Sequence, residues 1–333
     1  MVNIHGAFTT ALRKTPGIVV GVLDGDQVEV AALGTVADET DPASLCWEIG
    51  SITKVFTGVL LADMSIRGEV ALDDPIGAHL PDPVAERLPA ATIQPTLMHL
   101  ATHTAGLPRL PLTIYRAANG SDDPYSHLTE DDVFAYLGPK TRRPRRQRPS
   151  YSNYGMGLLG HLLARAAGRP YAELIEERIL GPLNMTATRI GSCGEGNDTV
   201  PGFRKGRPTP PWTFGALEAA GGLRSTINDL LVFAGACLEA PEGSVGDALR
   251  LTREPFHRSR LPSGSRGLGW MLRSHPKRND SALWHNGGTY GASSFLAVDP
   301  GLSQAIVACG NAGPGLIPPL DGPAWAVFDS LAT

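Results

Sequence analysis

Long apolar runs are missing from this chain. Nowhere in its 333 residues is there a stretch approaching the ~20 consecutive apolar residues that a bilayer-spanning helix needs, so no membrane partner is expected. Residues 1–8 lack the basic start and apolar stretch of a secretion signal, and the expectation is a cytoplasmic protein. Cysteine is scarce. Cys46, Cys193, Cys237 and Cys309 are scattered without a C-x-x-C pair, which argues against zinc and reads as free, mostly buried thiols. Charge of one sign is lacking as well: a formal net charge of −4 supplies no basic field of the kind that draws nucleic acid. There is no internal repeat and no extended low-complexity tract. No exact G-x-S-x-G occurs, which argues against the nucleophile elbow of an α/β-hydrolase.

What is present is an apolar content of 42%, suited to one large domain or two intertwined lobes. Residues 17–34 read as a hairpin turning at Asp24-Gly25. Strand signals return late, at residues 267–272 and 282–285, and then in a second hairpin, 295–298 with 305–308, turning at Asp299-Pro300-Gly301. Between them the signals are helical and loopy. Residues 154–167 form a helix closed by Gly168, residues 171–180 one ended by Gly181-Pro182, and Ser225-Thr226 cap another through Leu238. A closing helix covers 323–331. The pattern predicts a single α+β domain over 1–333. Its mostly antiparallel sheet is assembled from 1–70 and 216–333, its mainly helical insertion covers 71–215, and the active site lies between the two.

The chemistry centres on Ser51. Small polar residues stand immediately before an apolar run with helical spacing, so a helix begins at or near Ser51. A hydroxyl there lies beside free backbone N–H groups and the positive end of the helix dipole, which stabilise an oxyanion. Lys54 falls on the same face. Partly buried, its ammonium loses a proton more readily than in water, and Ser with such a Lys is an activated nucleophile. The plain alternative is a capping Ser and a surface Lys.

Two further stretches support the catalytic reading. Tyr151, where a loop opens a helix, becomes a candidate base if a neighbouring cation, Lys54, lowers its pKa from the usual ~10. A strand ending in His285, Asn286, Gly287 and Gly288 lets a substrate lie close, with the Gly288 and Ser51 N–H groups as oxyanion donors.

Other motifs are weaker. G-x-G-x-x-G at 155–160 lacks the preceding strand of a dinucleotide site and reads as small residues on a packed helix face. His99 and His103 have helical i, i+4 spacing, but Leu100 stands where a zincin has Glu, so they read as structural. No metal and no cofactor is expected. The basic run 142–148 reads as a solvated loop, near enough to Tyr151 to steer an anionic substrate.

Taken in order, Ser51-x-x-Lys54, Tyr151-x-Asn153 and His285-x-Gly287 resemble the motifs of the penicillin-recognising serine enzymes, in the branch of class C β-lactamases, D-peptidases and esterases. Residues 96–108, 178–186 and 220–226 look like further segments of that family, and the likeness spans about 16–312. It implies a β-lactamase/DD-peptidase-like fold, attack by Ser51 on a carbonyl, proton traffic shared by Lys54 and Tyr151, and a hydrogen bond from Asn153 to substrate. His285 departs from the pattern, which usually has Lys there to meet a carboxylate. A mostly neutral His favours esterase, amidase or D-aminopeptidase activity over penicillin hydrolysis. The expected partner is a small ester or amide, with an amine or alcohol acceptor if the enzyme is a transacylase of natural-product biosynthesis. A silent ligand-binding or sensor domain and a metal-dependent hydrolase at His99 and His103 are the other readings.

Overall fold

The computed structural model describes residues 3–117, 120–146, 148–193, 199–261, 264–274, 282–315 and 318–332. A seven-stranded antiparallel sheet runs, edge to edge, through Gln27–Gly34, Gly17–Asp24, Gln304–Gly310, Ser293–Asp299, Ala282–Gly288, Met271–Arg273 and Ser265–Arg266. The N-terminal hairpin thus pairs with the C-terminal one, Val20 opposite Ala308. Its turn falls at Gly25-Asp26, one residue later than expected, since Asp24 pairs with Gln27.

Alternation along these strands builds two cores. Val19, Leu296, Val298 and Val307 face one side, together with Val55, Phe56 and Val59 of the helix Thr53–Ile66 and Phe233 of the helix Ile227–Glu239. Ile18, Val20, Phe295 and Ile306 face the other, under Phe8 and the helix Asp321–Leu331. Period-two side chains on a sheet covered on both faces give continuous apolar runs, which is why Ser293–Asp299 is buried throughout.

The α+β fold is as expected, with local differences. The stretch 267–272 is not one strand. Gly269 takes φ 77° and lies so close to the Thr53–Ile66 helix that a Cβ would sit 2.3 Å from the Lys54 carbonyl oxygen, so the chain bends there to pass the helix. The helix Asn153–Ala167 ends at Gly168 in the left-handed conformation, and its glycines are packing residues: a Cβ on Gly160 would lie 2.3 Å from that of Ala219. The helix starting at Tyr171 widens to a π turn over Glu176–Leu180. Gln147, in the basic run, lies outside the described residues; Arg142, Arg145, Arg146 and Arg148 are exposed.

The reading of four free thiols is corrected. Cys46 and Cys193 form a disulfide across a sequence separation of 147, and Cys237 and Cys309 are free and buried. Both bridged cysteines are buried, and the local spacing that sequence reading relies on says nothing about residues that only the fold brings together.

Candidate active site

The strand Trp47–Glu48 pairs with Leu223–Ser225 and delivers the chain to Ser51. Ser51 sits in a single 3-10 turn, Gly50–Ile52, and the α-helix starts at Thr53. This tight entry is anchored from below, where Ile52, Val55 and Phe56 are fully buried, and from the side, where Thr53 Oγ1 accepts from the Leu223 N–H at 3.1 Å.

Lys54 is wholly buried. Its Nζ donates to Ser51 Oγ at 2.8 Å and to the carbonyl of Ala220. Burial, seconded by the charge of Arg109, holds its pKa well below that of a free lysine. The lowered pKa raises the share of neutral amine, and a neutral amine with one N–H on Ala220 has a lone pair to spare for the Ser51 proton.

Tyr151 is fixed by its neighbours. Ser152 caps the next helix, its Oγ accepting from the Gly155 N–H and donating to the Pro108 carbonyl. The Ser152 N–H donates to His103 Nδ1 at 3.3 Å. The Tyr151 ring centroid is 5.0 Å from Lys54 Nζ, 4.6 Å from the His103 ring and 6.0 Å from the His285 ring. Its hydroxyl is hydrogen-bonded with Ser51, yet burial pushes the phenol up to about 12. The expectation that Lys54 lowers the Tyr151 pKa is corrected: desolvation dominates and drives the phenol up, and the charge that pulls it back is that of Arg109. With its pKa lowered, Lys54 can serve as a base toward the Ser51 hydroxyl, and the protonated Tyr151 phenol can relay a proton.

His285 is also buried, and desolvation, with Lys54 adding to it, lowers its pKa to about 3. Its Nδ1 donates to the Asn286 carbonyl at 2.6 Å, which leaves Nε2 as a bare acceptor without a partner among the described residues. Asn153 supplies a second one: its side chain bonds Tyr125 and its Oδ1 is buried and unpaired. Asn286 is corrected as a site side chain. Strand alternation turns it to the opposite face, where its amide donates to Asp321 at 2.7 Å.

Gly287 and Gly288 lie against the serine turn. A Cβ on Gly287 would be 2.0 Å from the Ile49 carbonyl oxygen, so only glycine lets this strand approach. His99 is buried with Nδ1 bonded to Thr96, and among the described residues no cluster of three His, Cys, Asp or Glu is placed to hold a metal.

Sequence reading missed three residues. His103, with φ 59°, packs on the Tyr151 ring instead of merely closing a helix corner; nothing in its spacing marks this. Arg109 lies 5.3 Å from the Tyr151 ring. Glu48 is buried between Trp47 and Ile49 and accepts from the Trp212 N–H at 2.7 Å and the Thr289 hydroxyl at 3.0 Å. A carboxylate inside an apolar run was the available signal.

A family model described as Beta-lactamase matches residues 7–319. The chain belongs to the beta-lactamase family. That family is one of serine hydrolases, and serine acyl-enzyme chemistry accords with it. A beta-lactamase of Escherichia coli K12 is 28% identical over 295 residues, 84% of this chain and 72% of the relative. The D-alanyl-D-alanine-carboxypeptidase/endopeptidase AmpH of the same organism is 26% identical over 305 residues, 85% of this chain and 76% of the relative. Among solved structures, a beta-lactamase/D-alanine carboxypeptidase from Yersinia pestis superimposes with a TM-score of 0.81 at 23% identity, covering 99% of this chain and 97% of its own. A class C beta-lactamase from Rhodobacter sphaeroides gives 0.79, also at 23% identity, with 98% of each chain covered.

Proposed function

We propose that this member of the beta-lactamase family is a serine acyl-enzyme hydrolase or acyltransferase for small esters or amides. The observation that carries the reading is the 2.8 Å contact between Ser51 Oγ and the buried, pKa-depressed amine of Lys54. Lys54 takes the Ser51 proton as Oγ bonds to the substrate carbonyl carbon. The backbone N–H groups of Ser51 and Gly288 receive the oxyanion. As the carbonyl–leaving-group bond breaks, the proton passes through Tyr151 to the leaving alcohol or amine. A second nucleophile then repeats the sequence on the acyl-enzyme.

Two relatives are named for β-lactam or D-alanyl-D-alanine substrates, whose chemistry includes a carboxylate. A neutral His285 with a bare Nε2 repels such a group instead of binding it, which favours esters and amides that place no carboxylate beside His285. The same lone pair, with Asn153 Oδ1, favours transfer as the second reading, because both accept from the N–H of an incoming amine. An activated fluorophosphonate followed by mass spectrometry is expected to place one adduct on Ser51. An unmodified Ser51 in folded protein would sink the proposal. Adding primary amines to an ester assay then separates transfer, seen as amide product, from hydrolysis.

A further inference from the structure

A recess of about 620 Å³ has Arg109, Tyr125, Arg204, Trp212 and Tyr290 in its wall. It joins the catalytic groups through Tyr125, bonded to Asn153, and through Arg109 beside Tyr151. The wall is aromatic. Trp212 meets Tyr125 edge-on at 5.2 Å and 85°, and Tyr290 at 4.7 Å and 79°. The other side of that corner is cationic: Arg204 stacks 3.6 Å over the Tyr290 ring and reaches Asp122 at 3.4 Å.

Arg109 differs from Arg204 in having no carboxylate against it among the described residues. The titratable groups around it do not offset its charge. Lys54, His103 and His285 are all pushed toward their neutral forms, chiefly by burial. Arg109 is therefore a cation beside Tyr151 that no carboxylate pairs with among the described residues. The wall is also held in place from behind: buried Glu48 accepts from the Trp212 N–H and from Thr289, the residue before Tyr290.

Rings set edge to face offer an aromatic ligand both a face and an edge, an arrangement that an aliphatic group does not exploit. An unpaired guanidinium presents a planar fork of donors that matches a carboxylate. Resting on the serine acyl-enzyme reading, we propose that the recess receives an aromatic ring bearing a carboxylate, carried by the acyl donor. The ring lies against Trp212 and Tyr290, and its carboxylate meets Arg109. This places the substrate's negative charge away from His285, which has no charge to offer it.

The test uses two ester series, one with the ring on the acyl group and one with it on the leaving group. Monoethyl terephthalate is compared with ethyl benzoate and ethyl cyclohexanecarboxylate; 4-carboxyphenyl acetate is compared with phenyl acetate. Rates are corrected for hydrolysis without enzyme. In at least one series kcat/KM for the carboxylated ring exceeds that for the plain ring about tenfold, and Arg109→Gln brings this ratio close to one. Trp212→Leu lowers the benzoate-to-cyclohexanecarboxylate ratio. Each ratio is taken on one variant at one pH, so the charge effect of Arg109 on Lys54 cancels, and a merely structural role for Arg109 would leave it unmoved. Ratios near one in both series, with ester turnover intact, overturn the recess alone, as does a preference that survives Arg109→Gln. No turnover together with an unlabelled Ser51 overturns the underlying reading as well.

Discussion

Gly50 and Gly288 meet backbone to backbone: a Cβ on Gly50 would lie 2.6 Å from the Gly288 nitrogen. Gly50 also takes φ 49°, where an L side chain costs about 1–2 kcal/mol. Gly50→Ala is therefore expected to push apart the two segments that carry the proposed oxyanion donors, with a loss of ~100-fold or more in kcat and a lower melting temperature. Normal turnover in this variant would refute the oxyanion assignment.

On the proposed mechanism, the acidic limb of the pH–rate profile is expected to belong to Lys54. Its pKa is held low by burial, and only the unprotonated amine accepts the Ser51 proton, so activity rises as pH climbs through that lowered value. Tyr151, at about 12, stays protonated across the working range and adds no inflection there. Lys54→Met is expected to lower kcat/KM by ~100- to 10,000-fold with Ser51 still in place. A profile whose acidic limb survives in this variant would remove Lys54 as the base.

Replacing His285 tests the proposal that a substrate carboxylate is disfavoured beside this residue. His285→Lys puts a cation where an uncharged ring with a bare Nε2 now stands. The ratio of acylation rates for a cephalosporin over a neutral ester should rise about tenfold in the variant. An unchanged ratio would show that His285 does not set this preference.

Asp321, which accepts from Asn286, has its carboxyl raised by burial from 3.8 to about 6. A carboxyl raised in the folded state binds its proton more tightly there than in the unfolded chain. Its stabilising contribution is thus complete below about pH 4 and is lost as pH rises through about 6. The 2-unit shift sets an upper limit of about 3 kcal/mol, less for the part of the group that water reaches. Denaturant unfolding at pH 4.5 and 7 is expected to show Asp321→Asn gaining on the parent at the higher pH. Parallel stabilities at both would contradict the shifted carboxyl.

The Cys46–Cys193 bridge is open to a simple count. Protein unfolded without reductant should release two titratable thiols, Cys237 and Cys309, and four after reduction. A cystine is characteristic of oxidising compartments, so four thiols without reductant would both remove the bridge and support the cytoplasmic expectation.

Local order was legible in the sequence because it is written in local terms. The paired hairpins at the two ends, the caps at Thr226 and Gly168, and the alternation of Ser293–Asp299 follow from periodicity and turn chemistry within a few residues. So does the placing of Ser51 and Lys54 on adjoining turns. What only the tertiary structure decided is everything set by the surroundings of a group. Burial lowers the Lys54 pKa, drives the Tyr151 phenol up and keeps His285 neutral. Packing turns Asn286 toward Asp321, and residues far apart in the chain meet as Cys46 with Cys193 and Glu48 with Trp212. The physical reason is that desolvation and long-range contact depend on what the whole chain places around an atom, and a motif carries no record of its neighbours in space.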